Sequence, residues 1–149
     1  MVIKQGILKS IFYGLLSGLF LTVFLKMVEM LTSNKVYTLL LNVDYIPYLN
    51  QYEFSEPVEV VFHLIISVAL SVCLYILIMR LKINSRNKVI YLSTAVCFIV
   101  GIALFPTTAL SNRTPSITDL SSILFWLVGH ILYGYILGFL LVNSVIKRK

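Results

Sequence analysis

The sequence predicts an all-α membrane protein: a bundle of four transmembrane helices, both termini cytoplasmic, with one long extracellular first loop. Three observations carry this. Four apolar runs each approach the roughly 20 residues that a spanning helix needs. The 149 residues are 59% hydrophobic and 12% charged, with a mean hydropathy of +0.95, where a soluble domain carries about a quarter charged residues. The lysines and arginines also gather at alternate span ends. Four spans and their loops use up the chain, which reads as one integral membrane domain.

Span one covers about residues 7–31. Lys4 and Lys9 precede it, as in a signal peptide, but the apolar run is long and no A-x-A-like site follows. It is therefore expected to be retained. Ser10, Gly14, Gly18 and Thr22 recur every four residues and give the helix one small-residue face, suited to close packing in a bundle. Lys26 and Glu29, three residues apart near the far end, can pair on one face, with Lys26 snorkelling to the interface.

Residues 32–56 form the longest connection. They are too short and too broken by Asn42, Asp44 and Pro47 to span. Tyr37, Tyr45, Tyr48 and Phe54 suit a headgroup layer. The segment is expected to lie ordered over the outer end of the bundle, held by those rings, with a short interfacial helix. A structural cap is the plain reading, and a lid or docking surface the sharper one.

Span two, about residues 57–79, opens with Ser55 as N-cap and Pro57 in the first turn. Glu59, His63, Ser67 and Ser71 follow at four-residue steps, so neighbours touch and Glu59 is placed to hold His63 by a hydrogen bond. The serines are expected to bond their own helix backbone. Arg80, Lys82, Arg86 and Lys88 make a basic turn, a candidate site for anionic lipid headgroups, and require spans two and three to be an antiparallel hairpin. Span three, about residues 89–105, stops near Pro106 and carries Ser93, Cys97 and Gly101 on a small-residue face. Cys73 and Cys97 both fall in apolar runs and read as small core residues without a disulfide.

Ser116-x-x-Asp119 resembles a capping box opening span four, about residues 120–146. Within it residues 125–141 carry no formal charge. His130, Gly134 and Gly138 share one face there, and a histidine in hydrocarbon needs a hydrogen-bond partner. That face is expected to meet the other helices, with a neutral His130 bonded to one of them.

Nine of the twelve basic residues fall on one side of this arrangement: Lys4, Lys9, Arg80, Lys82, Arg86, Lys88, Lys147, Arg148 and Lys149. The positive-inside rule then makes both termini and the middle turn cytoplasmic. It also accounts for the net charge of +6 without nucleic acid.

At about 1.5 Å per residue, His63 lies roughly 9 Å and His130 roughly 15 Å below the outer span starts. With Glu59, Glu29 and Lys26 they are the candidate ligand- or proton-binding residues of an outward-facing polar pocket. Two histidines and one or two carboxylates are zinc-type ligands, but their spacing matches no metal signature. No Walker loop, dinucleotide fingerprint, HExxH or GxSxG occurs.

The order of features resembles the YagU-like family of small bacterial inner-membrane proteins of unknown function. The matching features are Gly14, Gly18, Lys26 and Glu29 in span one and FHLIIS at residues 62–67. Pro106 with Thr114-Pro115, and His130 in the last span, complete the set. The proline- and arginine-rich first-loop segment of that family is missing. The resemblance implies a bacterial cytoplasmic membrane and no enzymatic activity to carry over.

The functional expectation is a non-enzymatic multi-pass protein without cofactor. It would bind a small ligand, a lipid or a partner protein through its outward pocket, as a single chain or a homo-oligomer. The alternative is a small, oligomeric proton-coupled transporter. Small size, no evident inverted repeat and no broken helix pair weigh against the latter.

Overall fold

The computed structural model describes residues 2–146; Lys147, Arg148 and Lys149 lie outside the described residues. Five α-helices follow in order: α1 (Val2–Thr32), α2 (Val36–Leu41), α3 (Glu56–Arg80), α4 (Arg86–Leu104) and α5 (Leu120–Val145). Four of them, α1, α3, α4 and α5, are long and apolar enough to cross a membrane. No strand occurs among the described residues. The fold is that of a multi-pass helical membrane protein, and the four spans match the four apolar runs.

The neighbours are not those of a simple up-down ring. α1 packs along α3 and α5, and α5 packs along α4, so the main contacts run α3–α1–α5–α4. Although residues 81–85 join α3 directly to α4, each of these helices packs mainly on another partner. The hairpin expected of spans two and three is thus a hairpin in connectivity, with its packing directed elsewhere. Small residues decide where each helix goes.

On α1, the stripe holding Ser10, Gly14 and Gly18 meets α3. A Cβ at Gly14 would stand 2.9 Å from the Val68 Cα, so only glycine permits this approach. Across the same seam Ser67 Oγ donates to the Gly14 carbonyl and Ser71 Oγ to the Ser10 carbonyl, both at 2.8 Å. The expectation that these serines bond their own backbone is corrected. Close approach exposes the spare lone pairs of α1 carbonyls, and α3 uses them.

The α4–α5 seam repeats the device with glycines on both sides. Added Cβ atoms at Gly134 and Gly138 would stand 2.8 Å from Thr94 Cα and 2.9 Å from Ile90 Cα. Ser93 and Cys97 are buried on the α4 side. Trp126 Nε1 donates to the Gly101 carbonyl at 2.8 Å. Cys97 is a core residue as expected, whereas Cys73 is exposed on the outer surface of α3.

Helix ends depart from expectation in detail. The Ser55 side chain makes no cap bond on α3. On α5 the cap is Asp119 itself, accepting from the Ser121 and Ser122 backbone N–H groups, while Ser116 serves the turn before it. α3 ends with Lys82 at φ 52°. The Ile83 N–H reaches the Ile78 carbonyl and the Lys82 N–H the Met79 carbonyl, a Schellman stop with lysine where glycine is usual. Above Leu104, the chain continues as a tight 3-10 turn over Phe105–Leu110 that takes up Pro106.

α2 is not a surface helix. Val36, Leu39 and Leu41 are fully or nearly buried, and the segment packs against α1 and α3 as part of the core. Tyr37 is buried and Phe54 stacks edge-on against Phe62 at 5.3 Å. Tyr48, expected to help hold the segment, stands 79% exposed and contributes nothing of the kind.

Candidate functional site: a histidine-lined cavity between two spans

Because α3 and α4 diverge above their turn, a gap is left between them, floored by α5. His63, Ser67 and Leu70 enter it from α3, Val100 and Leu104 from α4. Trp126, His130 and Tyr133 form the floor, spaced at three and four residues along one face of α5. Leu39 and Leu40 of α2, with Tyr45 beyond it, close the loop end. The cavity volume is about 60 Å³, room for about four to six waters at roughly 10–15 Å³ each.

His130 is buried and its orientation is set locally. Nδ1 lies 2.9 Å from the Trp126 carbonyl one turn back. The ring sits 4.3 Å from the Trp126 ring, centroid to centroid. On its other side a Cβ at Gly101 would meet the His130 ring carbons at 2.9–3.3 Å. The expected interhelical hydrogen bond from this histidine is corrected: its partner is its own helix, and α4 contributes the glycine that makes room for the ring.

A hydrogen-bond chain beside the cavity joins three helices. Ser67 Oγ, which donates to the Gly14 carbonyl, lies 2.9 Å from the Tyr133 hydroxyl. His63 lines the same cavity, and its Nε2 is buried with no protein partner.

The carboxylates expected in this cluster are elsewhere. Glu59 is buried one turn from His63 but is taken by Arg113, whose two terminal nitrogens lie 3.2 Å from Oε1. It does not hold His63. Glu29 accepts from the Thr38 N–H at 2.9 Å and the Thr38 hydroxyl at 2.8 Å, anchoring α2. Lys26 pairs with Glu56 at 2.6 Å instead of Glu29 and lies over the Tyr37 ring. Glu56 also accepts from the Tyr37 hydroxyl at 2.7 Å. Burial first, and then that carboxylate, hold the Tyr37 phenol well above its usual range. Burial alone raises Tyr45.

The single outward polar pocket therefore resolves into two places. One is the mainly apolar cavity with both histidines. The other is an open groove at the loop end, lined by Asp44, Glu53 and Arg113 among others. Arg113 and Ser111 tie the third connection to the first there, Ser111 Oγ donating to Asp44 at 2.6 Å. Sequence reasoning passed over Arg113, Trp126 and Tyr133. The one signal for the last two was their three- and four-residue spacing from His130.

Among the described residues, no group of three or more metal-type ligands gathers. At the opposite end Arg80, Lys82, Arg86 and Lys88 are all exposed around the α3–α4 turn. The Arg86 guanidinium sits 5.0 Å from the Phe139 ring centre. No protein-family model, no curated protein and no solved structure matches the chain.

Proposed function

We propose that the protein is a non-enzymatic membrane receptor or carrier for a small apolar molecule, held in the cavity between α3 and α4. The observation that carries this is the cavity itself. Two helices adjacent in sequence are held apart over a floor of aromatic and histidine side chains, in a fold whose other seams are packed to glycine contact. Binding sites of this kind are mainly apolar, with a few placed polar groups. Ile66 lines the gap and is half exposed on the outer surface of α3, so entry is sideways, from the hydrocarbon.

Transport is the second reading, favoured by two histidines facing one space. It is the weaker one, because a through-path needs an opening toward the α3–α4 turn. There Leu74, Tyr75, Ile78 and Leu137 are all buried.

By the positive-inside rule the α3–α4 turn and both termini belong to the cytoplasmic side. The resemblance to the YagU-like family is the support for a bacterial cytoplasmic membrane as its location. The exposed cations of the turn suit anionic headgroups of that leaflet.

The chain has one tryptophan, Trp126, and it lines the cavity. Bromobenzene added to the protein in nanodiscs should quench its fluorescence saturably, and Val100→Phe, which fills the gap, should abolish saturation. Quenching that rises linearly with probe in both proteins would refute the binding reading.

A further inference from the structure

The protons of the polar groups on the cavity floor are already committed. His130 Nδ1 faces a carbonyl, which only accepts, so Nδ1 carries the hydrogen. A charged ring at this depth is costly, and in the neutral ring Nε2 is then a bare acceptor. Ser67 gives its hydrogen to the Gly14 carbonyl, so in the Ser67–Tyr133 contact the phenol donates. That leaves the Tyr133 oxygen with free lone pairs only. Thr107 donates to the Leu104 carbonyl and Trp126 to the Gly101 carbonyl. Of the polar lining groups, only His63 and Tyr45 have hydrogens not assigned in this way.

We infer that the cavity selects a neutral hydrogen-bond donor on a compact apolar body, a phenol or a short-chain alcohol, received by His130 and Tyr133. This rests on the cavity being a ligand site. The ligand supplies the hydrogen the floor lacks, and its apolar part lies against Leu70, Val100 and Leu104. An ether of the same shape offers a lone pair to lone pairs. It leaves the buried acceptors unpaired, which is the costly side of hydrogen bonding. A carboxylate adds a charge to an apolar gap.

The test compares para-bromophenol with para-bromoanisole, which replaces the O–H by O–CH₃ and keeps the quenching bromine. Both are titrated against Trp126 fluorescence of the full-length protein in nanodiscs at neutral pH. A phenol, with a pKa of about 10, stays protonated there. Concentrations are corrected for partition into empty nanodiscs. Half-saturation by the phenol should come at about tenfold lower concentration than by the anisole, the worth of one well-placed hydrogen bond. In His130→Phe the advantage should shrink toward unity.

Equal half-saturation of the wild-type protein by the two probes, or a phenol preference undiminished in His130→Phe, overturns the donor assignment and leaves the cavity as a binding site. Saturation by neither probe overturns the binding reading and the donor assignment with it. The wild-type comparison decides the matter even if the variant does not fold.

Discussion

At the scale of single residues, stability is concentrated where backbones touch. Gly134 and Gly129 are both buried glycines of α5, and they make opposite demands. A Cβ at Gly134 would lie 2.7 Å from the Cys97 Cβ and 2.8 Å from the Thr94 Cα. Neither atom can move without moving α4. At Gly129 the nearest atoms are the Leu21 and Leu25 methyl ends at 3.1 Å, which can rotate away. Gly134→Ala should therefore cost about 1–3 kcal/mol by overpacking. Gly129→Ala should cost less, and the gain in helix propensity works in its favour. Reversible unfolding in mixed micelles measures both; equal losses would show that the two seams yield alike. Gly134 and Gly138 were legible in the sequence because spacing alone puts them on a face, whereas Gly129 was not. The partners of that face were not legible either. Which helix a small-residue face meets depends on all four faces at once, and the span-two serines looked like self-bonding residues until α1 carbonyls stood within reach.

Helix ends and short elements show where local pattern runs out. Span positions followed from hydropathy, since length and apolarity are properties of one segment. The caps did not, because Ser116 and Asp119 compete for one helix start and Asp119 wins by reaching two N–H groups. Its carboxylate is held below its usual range by the Ser122 and Ser121 hydroxyls, and then by the backbone N–H groups. A carboxylate with a depressed folded pKa stabilises above its unfolded value, near 3.9, and loses that contribution as pH falls through the folded value. The melting temperature should thus fall more steeply below pH ~4 in the wild-type protein than in Asp119→Asn, which has nothing to titrate there. Parallel pH curves would mean that the cap charge adds nothing. α2 was expected at the surface because its tyrosine-rich flanks resemble a headgroup layer. Its own Val36, Leu39 and Leu41 are core side chains, and Glu29 on α1 holds its Thr38. Glu29→Gln exchanges a charged double acceptor for a neutral single one. Amide hydrogen exchange across residues 36–41 should quicken by about tenfold in that variant. An unchanged rate would mean that burial alone holds α2, and would remove Glu29 as its anchor.

For the whole molecule, order in the chain and order in space differ, and the candidate site exists because they do. Sequence reasoning placed His63 roughly 9 Å and His130 roughly 15 Å below the same end, and they do line one cavity. It also drew in Glu29, Glu59 and Lys26, which are nearer the loop end and satisfied by Thr38, Arg113 and Glu56. Charged groups have long reach and many available partners, so their pairing is settled by the loops, the least predictable part of the chain. The remaining global property is sidedness. The packed structure puts Lys4, Lys9 and the exposed turn cations Arg80, Lys82, Arg86 and Lys88 at one end. The Asp44–Arg113–Glu59 network and α2 sit at the other. Translocating a cluster of cations is disfavoured, so the basic end should face the cytoplasm. The cluster can be checked one position at a time. Single cysteines at Lys35, Arg86 and Asn112, all exposed, are introduced after Cys73 and Cys97 are replaced by alanine. In intact cells an impermeant maleimide should label positions 35 and 112 and spare position 86, which should react only after the membrane is opened. Labelling of position 86 from outside would reverse the orientation and move the anionic-lipid contact of the turn to the opposite leaflet. The cavity between α3 and α4 would be untouched by that reversal, because its lining is set by helix packing, which does not depend on sidedness.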